Sequence, residues 1–318
     1  MVENYTLNST KSYHTGSLKS LGWELTVCNA LYPPGTPLRK LLVRNDSFGN
    51  LLYDHIARFI PMGKIARVFE IGGGYGYLMR DFLDRNRNLK ACMLDISPVL
   101  LNKQKETLQE FPVHYREEDF LETDVCALSK FDLAIMNENL GDFPSFIHLS
   151  TSILDGQADS EDPVLKWIRG LFEKYNLERP QGETFNLNIG AIEALEKLCS
   201  SGIPHIYLGE HSCEAFVPEG LRSIIHVEST GNPERISLAG HDEYTIKFSY
   251  LQQVAALHGY KSIRGPFADF IPFSLSDEAR YALTYGGHYS DESEMICHFV
   301  EDLYKYEYLI LIKEETDL

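Results

Sequence analysis

Apolar positions in the first half of the chain come as short continuous runs alternating with helix-like stretches. "ARVFEIG" (66–72), "KACMLDIS" (90–97), "VHYREEDF" (113–120) and "FDLAIMNE" (131–138) read as strands. "YLMRDFLDRNR" (77–87) and "PVLLNKQKETLQEF" (98–111) read as helices, the second with Pro98 in its first turn. With "LETDVCALSK" between the third and fourth strands, the rhythm is β-α-β-α-β-α-β. Such a rhythm predicts an α/β fold with a mostly parallel, doubly wound sheet. Upstream, "PLRKLLVRNDSFGNLLYDHIARFI" (37–60) has Leu and Ile at helical spacing, so residues 1–60 are expected to form a partly helical extension to a domain spanning 61–318.

Beyond the fourth strand the rhythm breaks. "DPVLKWIRGLFEKYNL" and "NIGAIEALEKLCSSG" are both helix-like, and 145–188 is expected to be a mostly helical insertion lying over the carboxyl edge of the sheet. "PHIYLGEH" (204–211) resumes the pattern as a fifth strand. A loop-rich stretch follows over 212–243, then a helix stopped by Gly259, a sixth strand near 261–271, two more helices and a late strand, "YEYLILIKE" (306–314).

The chain has 318 residues and a formal net charge of −17. A surface that acidic repels phosphate backbones, so a nucleic-acid substrate is not expected. The six cysteines are scattered without a CxxC pair, as in a reducing compartment. The polar start "MVENYTLNSTKSYH" has no apolar signal core, and no run approaches the ~18 apolar residues of a membrane span. A cytoplasmic protein without a membrane partner is the expectation. None of the eleven histidines lies at HxH or HxxxH spacing, so no metal site is inferred. A Gly-x-Ser-x-Gly elbow is also lacking, which argues against a serine hydrolase.

The candidate chemistry begins at "VFEIGGGYGYLM". Glu70 precedes a turn made of Gly72, Gly73, Gly74 and Gly76, which opens a helix. A dinucleotide site wants Gly-x-Gly-x-x-Gly, and here the third glycine of the pattern comes one residue early. An acid just before the loop would also repel a diphosphate. It suits a ligand with ammonium and sulfonium charges, S-adenosylmethionine. Asp95 ends the second strand 19 residues beyond Gly76, followed by Ile96, and is placed to hold ribose hydroxyls. Asp119 and Phe120 end the third strand, where an adenine amine and ring would lie. Asn137 and Glu138 end the fourth and are the candidate catalytic pair, because ligands sit at the carboxyl edge of open α/β sheets. Glu138 could bind a guanidinium or act as general base, or simply cap the next turn. Asp142, Glu210 and His211 are secondary candidates on adjacent loops.

With these motifs the chain resembles class I methyltransferases, and more narrowly the MidA family, which includes the mitochondrial complex I assembly methyltransferase. The family's E-I-G-x-G-x-G-x-L-M loop is matched by "EIGGGYGYLM". Its S-P-x-L-x-x-x-Q-x-x-x-L helix is matched by "SPVLLNKQKETL", and its N-E-F-F-D-A-L-P turn in part by "NENLGDFP". The resemblance spans roughly 45–275 and implies a Rossmann-like fold, S-adenosylmethionine as cofactor and a protein arginine as acceptor. This chain departs from the family at Tyr75, often Arg there, at Gly141, where the turn's Asp is expected, and at "LGEHSCE", which replaces D-Y-G. The acceptor is therefore open between a protein side chain and a small metabolite. A catalytically silent cofactor-binding assembly protein is the alternative, and the oligomeric state is left open.

Overall fold

The computed structural model describes residues 5–19, 26–155, 162–285 and 290–314. Twelve strands are found among them: β1 (Thr6–Asn8), β2 (Arg67–Ile71), β3 (Lys90–Asp95), β4 (His114–Glu117), β5 (Leu133–Asn137), β6 (Ser145–Ser150), β7 (Thr184–Leu187), β8 (His205–His211), β9 (Arg235–Ser237), β10 (Asp242–Tyr244), β11 (Tyr260–Pro266) and β12 (Tyr306–Lys313). Seven form one sheet in the order β11-β12-β8-β5-β2-β3-β4. Neighbours from β8 to β4 run parallel, and β12 is antiparallel to both β8 and β11.

The α-helices are α1 (Val27–Leu31), α2 (Phe48–Ile56), α3 (Tyr77–Arg85), α4 (Pro98–Thr107), α5 (Pro163–Tyr175), α6 (Ile189–Ser201), α7 (Phe248–Leu257), α8 (Asp277–Tyr285) and α9 (Asp291–Lys305). Both faces of the sheet are covered, which is why its central strands read as continuous apolar runs rather than alternating ones. Val68, Met93, Leu133 and Ile135 face a core shared with α1, α2, α3 and α9. Their neighbours Phe69, Leu94, Ala134 and Met136 face a second core built with α5, α6 and α7. None of the described helices is long and apolar enough to cross a membrane.

Two expectations change. The stretch after β4 forms two short 3-10 turns, Phe120–Glu122 and Val125–Ala127, in place of a helix. Asp119 and Asp124 each cap one of them by accepting from the N–H two residues on, which favours short turns over a continuous helix. The segment 145–188 is also less helical than expected. It contains α5, but β6 pairs with both β1 and β7 in a separate antiparallel sheet. Phe185 and Leu187 alternate inward there, a period of two that competes with helix. Residues 156–161 of this segment lie outside the described residues.

Candidate active site

A cavity of about 780 Å³ opens at the carboxyl ends of β2, β3, β5 and β8, within the usual ~300–1,000 Å³ of ligand pockets. Among the described residues, none of its lining falls within 145–188, so the expected lid is not formed by that segment. The covering comes from elsewhere. Ser9–Lys11, His14 and Thr26–Ala30 enclose the cavity from the N-terminal side, and α9 contributes Glu294, His298 and Asp302. The N-terminal segment is strapped across the strand ends by polar bonds. Asn8 donates to the Asp242 carbonyl at 2.8 Å and Thr10 to the Asp142 carbonyl at 2.7 Å. Lys11 pairs with Asp119 at 2.7 Å, and His14 Nε2 meets Asp142 Oδ1 at the same distance.

The glycine loop lies against this cavity. Gly72, Gly74 and Gly76 take positive φ, and Gly76 at 81° starts α3. Gly73 lies close beneath two side chains: an added Cβ would lie 2.4 Å from Met93 Cε and 3.0 Å from Glu70 Cδ, so both would have to shift. Glu70 is 2% exposed, and its Oε2 has no hydrogen-bond partner. Burial, and secondarily the charge of Asp95, pushes its carboxyl up to about 8 from an ordinary 4.5. A buried, unpartnered carboxylate on a cavity wall is matched by a cationic ligand. The residues thus fit S-adenosylmethionine, whose ammonium Glu70 would meet.

Asp95 is also buried and lines the cavity. Its Oδ1 accepts from Ser97 N at 2.9 Å and its Oδ2 from Gln104 Nε2 at 2.7 Å. Each oxygen keeps a further lone pair for a ribose hydroxyl. Desolvation raises its carboxyl to about 6. Ile96 lines the same wall. Asp119 accepts from Leu121 N at 2.9 Å and carries the Lys11 ion pair. Phe120 is 2% exposed and packs with Phe69 and Phe143, forming floor rather than an open stacking face.

Glu138 has φ of 54°, a left-handed conformation that a non-glycine residue adopts at a cost of about 1–3 kcal/mol. That turn aims its carboxylate at the first turn of α1. Oε2 accepts from Val27 N at 2.7 Å; Oε1 accepts from Cys28 N at 3.1 Å and from Asn137 Nδ2 at 2.9 Å. A residue 111 positions away therefore satisfies helix-start N–H groups. Burial still raises its carboxyl to about 7. Asn137 is completed by the Tyr207 hydroxyl, which donates to its Oδ1 at 3.2 Å. Glu210 is buried, accepts from Gly141 N and His211 N, and is pushed well above the ordinary carboxyl range by desolvation.

Two residues have roles that sequence reasoning did not assign. Gln104, on α4, joins Asp95 to the Gly74 carbonyl, to which it donates at 3.1 Å. It lies in the "SPVLLNKQ" run, so its signal was present without its purpose. Asn139 donates to the Ile71 carbonyl and packs over Gly72, while its buried Oδ1 has no partner. The structure also gathers His14, Asp142 and His241, with ligand-capable atoms within 4.8 Å of one another, although their spacing in the chain gives no such hint.

Residues 69–149 match the family model of a methyltransferase domain. Among solved structures, an uncharacterized protein from Burkholderia thailandensis is 14% identical with a TM-score of 0.52, over 90% of this chain and 86% of that one. Magnesium protoporphyrin IX methyltransferase from Synechocystis, solved with bound S-adenosylmethionine, is 12% identical over 96% and 95%, with a TM-score of 0.45. A methyltransferase from Streptomyces caelestis is 9% identical over 97% of each chain, also at 0.45. No curated protein matches the sequence. The uncharacterized protein shares the Rossmann-like fold, and the match over 69–149 shows that the chain carries the domain of an S-adenosylmethionine-dependent methyltransferase.

Proposed function

We propose that the acceptor is a cationic or amine-bearing group, of which the arginine side chain implied by the resemblance to the MidA family is one example. The observation that carries this reading is the charge of the cavity wall. Glu138, Asp291, Glu294 and Asp302 all line it, and Lys11 is the one Lys or Arg among the described lining residues. A wall of one sign with little counter-charge concentrates ligands of the opposite sign.

S-adenosylmethionine would supply an electrophilic methyl. Transfer forms a bond from the acceptor's lone pair to that carbon, breaks the carbon–sulfur bond and leaves a neutral thioether, with the acceptor's proton passing to a base. The chain's part is alignment and charge. In this reading Glu70 takes the ammonium, Asp95 the ribose hydroxyls and Asp119 the adenine amine, with Gly72, Gly73, Gly74, Gly76, Ile96 and Phe120 forming the cradle. Glu138 and Asn137 fix the wall of the acceptor chamber, and the carboxylates beyond them orient the acceptor and take its proton.

Asp95→Asn is expected to weaken S-adenosylmethionine binding by about 1.5–3 kcal/mol in a folded protein, the worth of hydrogen bonds to a charged group. Unchanged affinity by calorimetry would place the ribose elsewhere. The acceptor class is tested with labelled methyl donor and fractionated cell extract. Label is expected on guanidinium- or amine-bearing material; label confined to neutral or acidic acceptors would overturn the proposed class. A second reading, a silent cofactor-binding assembly protein, is favoured by the engagement of Glu138 with α1. It predicts bound cofactor and no label in any fraction.

A further inference from the structure

We propose that His14, His241 and Asp142, with Glu243 supporting His241, form a site for a divalent transition-metal ion of the zinc class, clasping the N-terminal strap over the rim of the cavity. The groups come from three parts of the chain. His14 lies in the turn Tyr13–Ser17, Asp142 ends the 3-10 turn after β5, His241 sits in the turn joining β9 to β10, and Glu243 is on β10. Their polar atoms converge. His14 Nε2 is 2.7 Å from Asp142 Oδ1, His241 Nε2 is 3.7 Å from that same oxygen, and His241 Nε2 is 3.1 Å from Glu243 Oε1. A metal with bonds of ~2.0–2.2 Å to nitrogen and oxygen spaces tetrahedral ligands roughly 3.3 Å apart, and the ligand atoms of His14, Asp142 and His241, all within 4.8 Å of one another, lie near that spacing and leave a fourth position to water.

The donor chemistry agrees. Two imidazoles and a carboxylate suit zinc and its first-row neighbours more than magnesium or calcium, which favour all-oxygen sets. The site is also built rather than incidental. The His241 side chain is 4% exposed, and the Tyr13 ring stacks on it at 4.1 Å, fixing the imidazole plane. Gly240 permits that stack, since a Cβ there would lie 3.0 Å from Tyr13 Cε2. An entry path exists because His14, Asp142 and Glu243 line the cavity. A bound ion would join the strap, the β5 turn and the hairpin, and would offset two neighbouring carboxylates.

The test uses the full chain stripped with chelator, then loaded separately with Zn2+ and Co2+. Metal retained after gel filtration is counted, and the Co2+ visible spectrum reports the ligands. The expected result is a single equivalent with a four-coordinate nitrogen–oxygen spectrum and no thiolate band, which excludes binding at the free cysteines. His241→Ala and Glu243→Gln, the milder change should the first fail to fold, are each expected to weaken binding by at least the roughly 10- to 100-fold that loss of a supporting partner alone produces. No retained metal in the wild type, a thiolate spectrum, or equal retention in folded variants would overturn the proposal. The readout is independent of cofactor binding and methyl transfer.

Discussion

Glu138→Gln is expected to lower methyl transfer by about 5- to 150-fold, the kinetic equivalent of one unsatisfied buried donor in the wall of the acceptor chamber. The carboxylate accepts from three N–H donors, those of Val27, Cys28 and the Asn137 side chain. A carboxamide has one oxygen, so at least one backbone N–H of α1 would face an NH2 group. An unsatisfied buried donor costs about 1–3 kcal/mol, enough to shift α1 and the cavity wall it forms. Cofactor contacts lie at Glu70 and Asp95 in the proposed site, so affinity for S-adenosylmethionine should change little. The measurement is labelled-methyl transfer beside calorimetry on the same preparation. Equal turnover in variant and wild type would remove Glu138 from the active arrangement.

The second large effect belongs to Glu70. Glu70→Gln should weaken S-adenosylmethionine binding by about 3–5 kcal/mol, because a buried ammonium would lose its only matched charge. The same change should leave the ligand-free fold as stable or more so at alkaline pH. In the fold the carboxyl is raised to about 8 from 4.5, so between those values the native state keeps a proton that the unfolded chain releases. Stability of the free protein therefore falls as pH rises through that window. Asp95 and Glu138 add the same sign, up to about 6 and 7. Because the cation favours ionised Glu70, the thermal stabilisation given by S-adenosylmethionine should grow from pH 4.5 to 8 in wild type and less in Glu70→Gln. A stabilisation that falls with pH would contradict the pairing.

Much of this was legible in the chain because parallel strands buried on both faces leave continuous apolar runs. "VFEI", "CMLDI" and "LAIM" mark their own carboxyl ends, and Glu70, Asp95 and Asn137 sit at or within those ends. What could not be read is held by bonds distant in sequence. "TLNSTKSYH" has no periodicity that marks it as cavity wall; Asn8, Thr10 and His14 find partners 128 to 234 residues away. The backbone partners of Glu138, Val27 and Cys28, open a five-residue helix, α1, too short to announce itself. In 145–188 the strong helical spacing of α5 drew attention from the brief alternation of "TFNL", where two inward residues suffice once β6 supplies the pairing edge. His14 and His241 meet only because β10, the β5 turn and the strap converge.

The central claim is that the cleft over Glu70 and Asp95 holds S-adenosylmethionine. Calorimetric titration of the wild-type chain with S-adenosylmethionine, its demethylated product and NADH tests it most directly. Saturable binding of the first two in the micromolar range, about −8 kcal/mol, is expected, and none of the third. Binding of NADH with no heat from either sulfur ligand would contradict it.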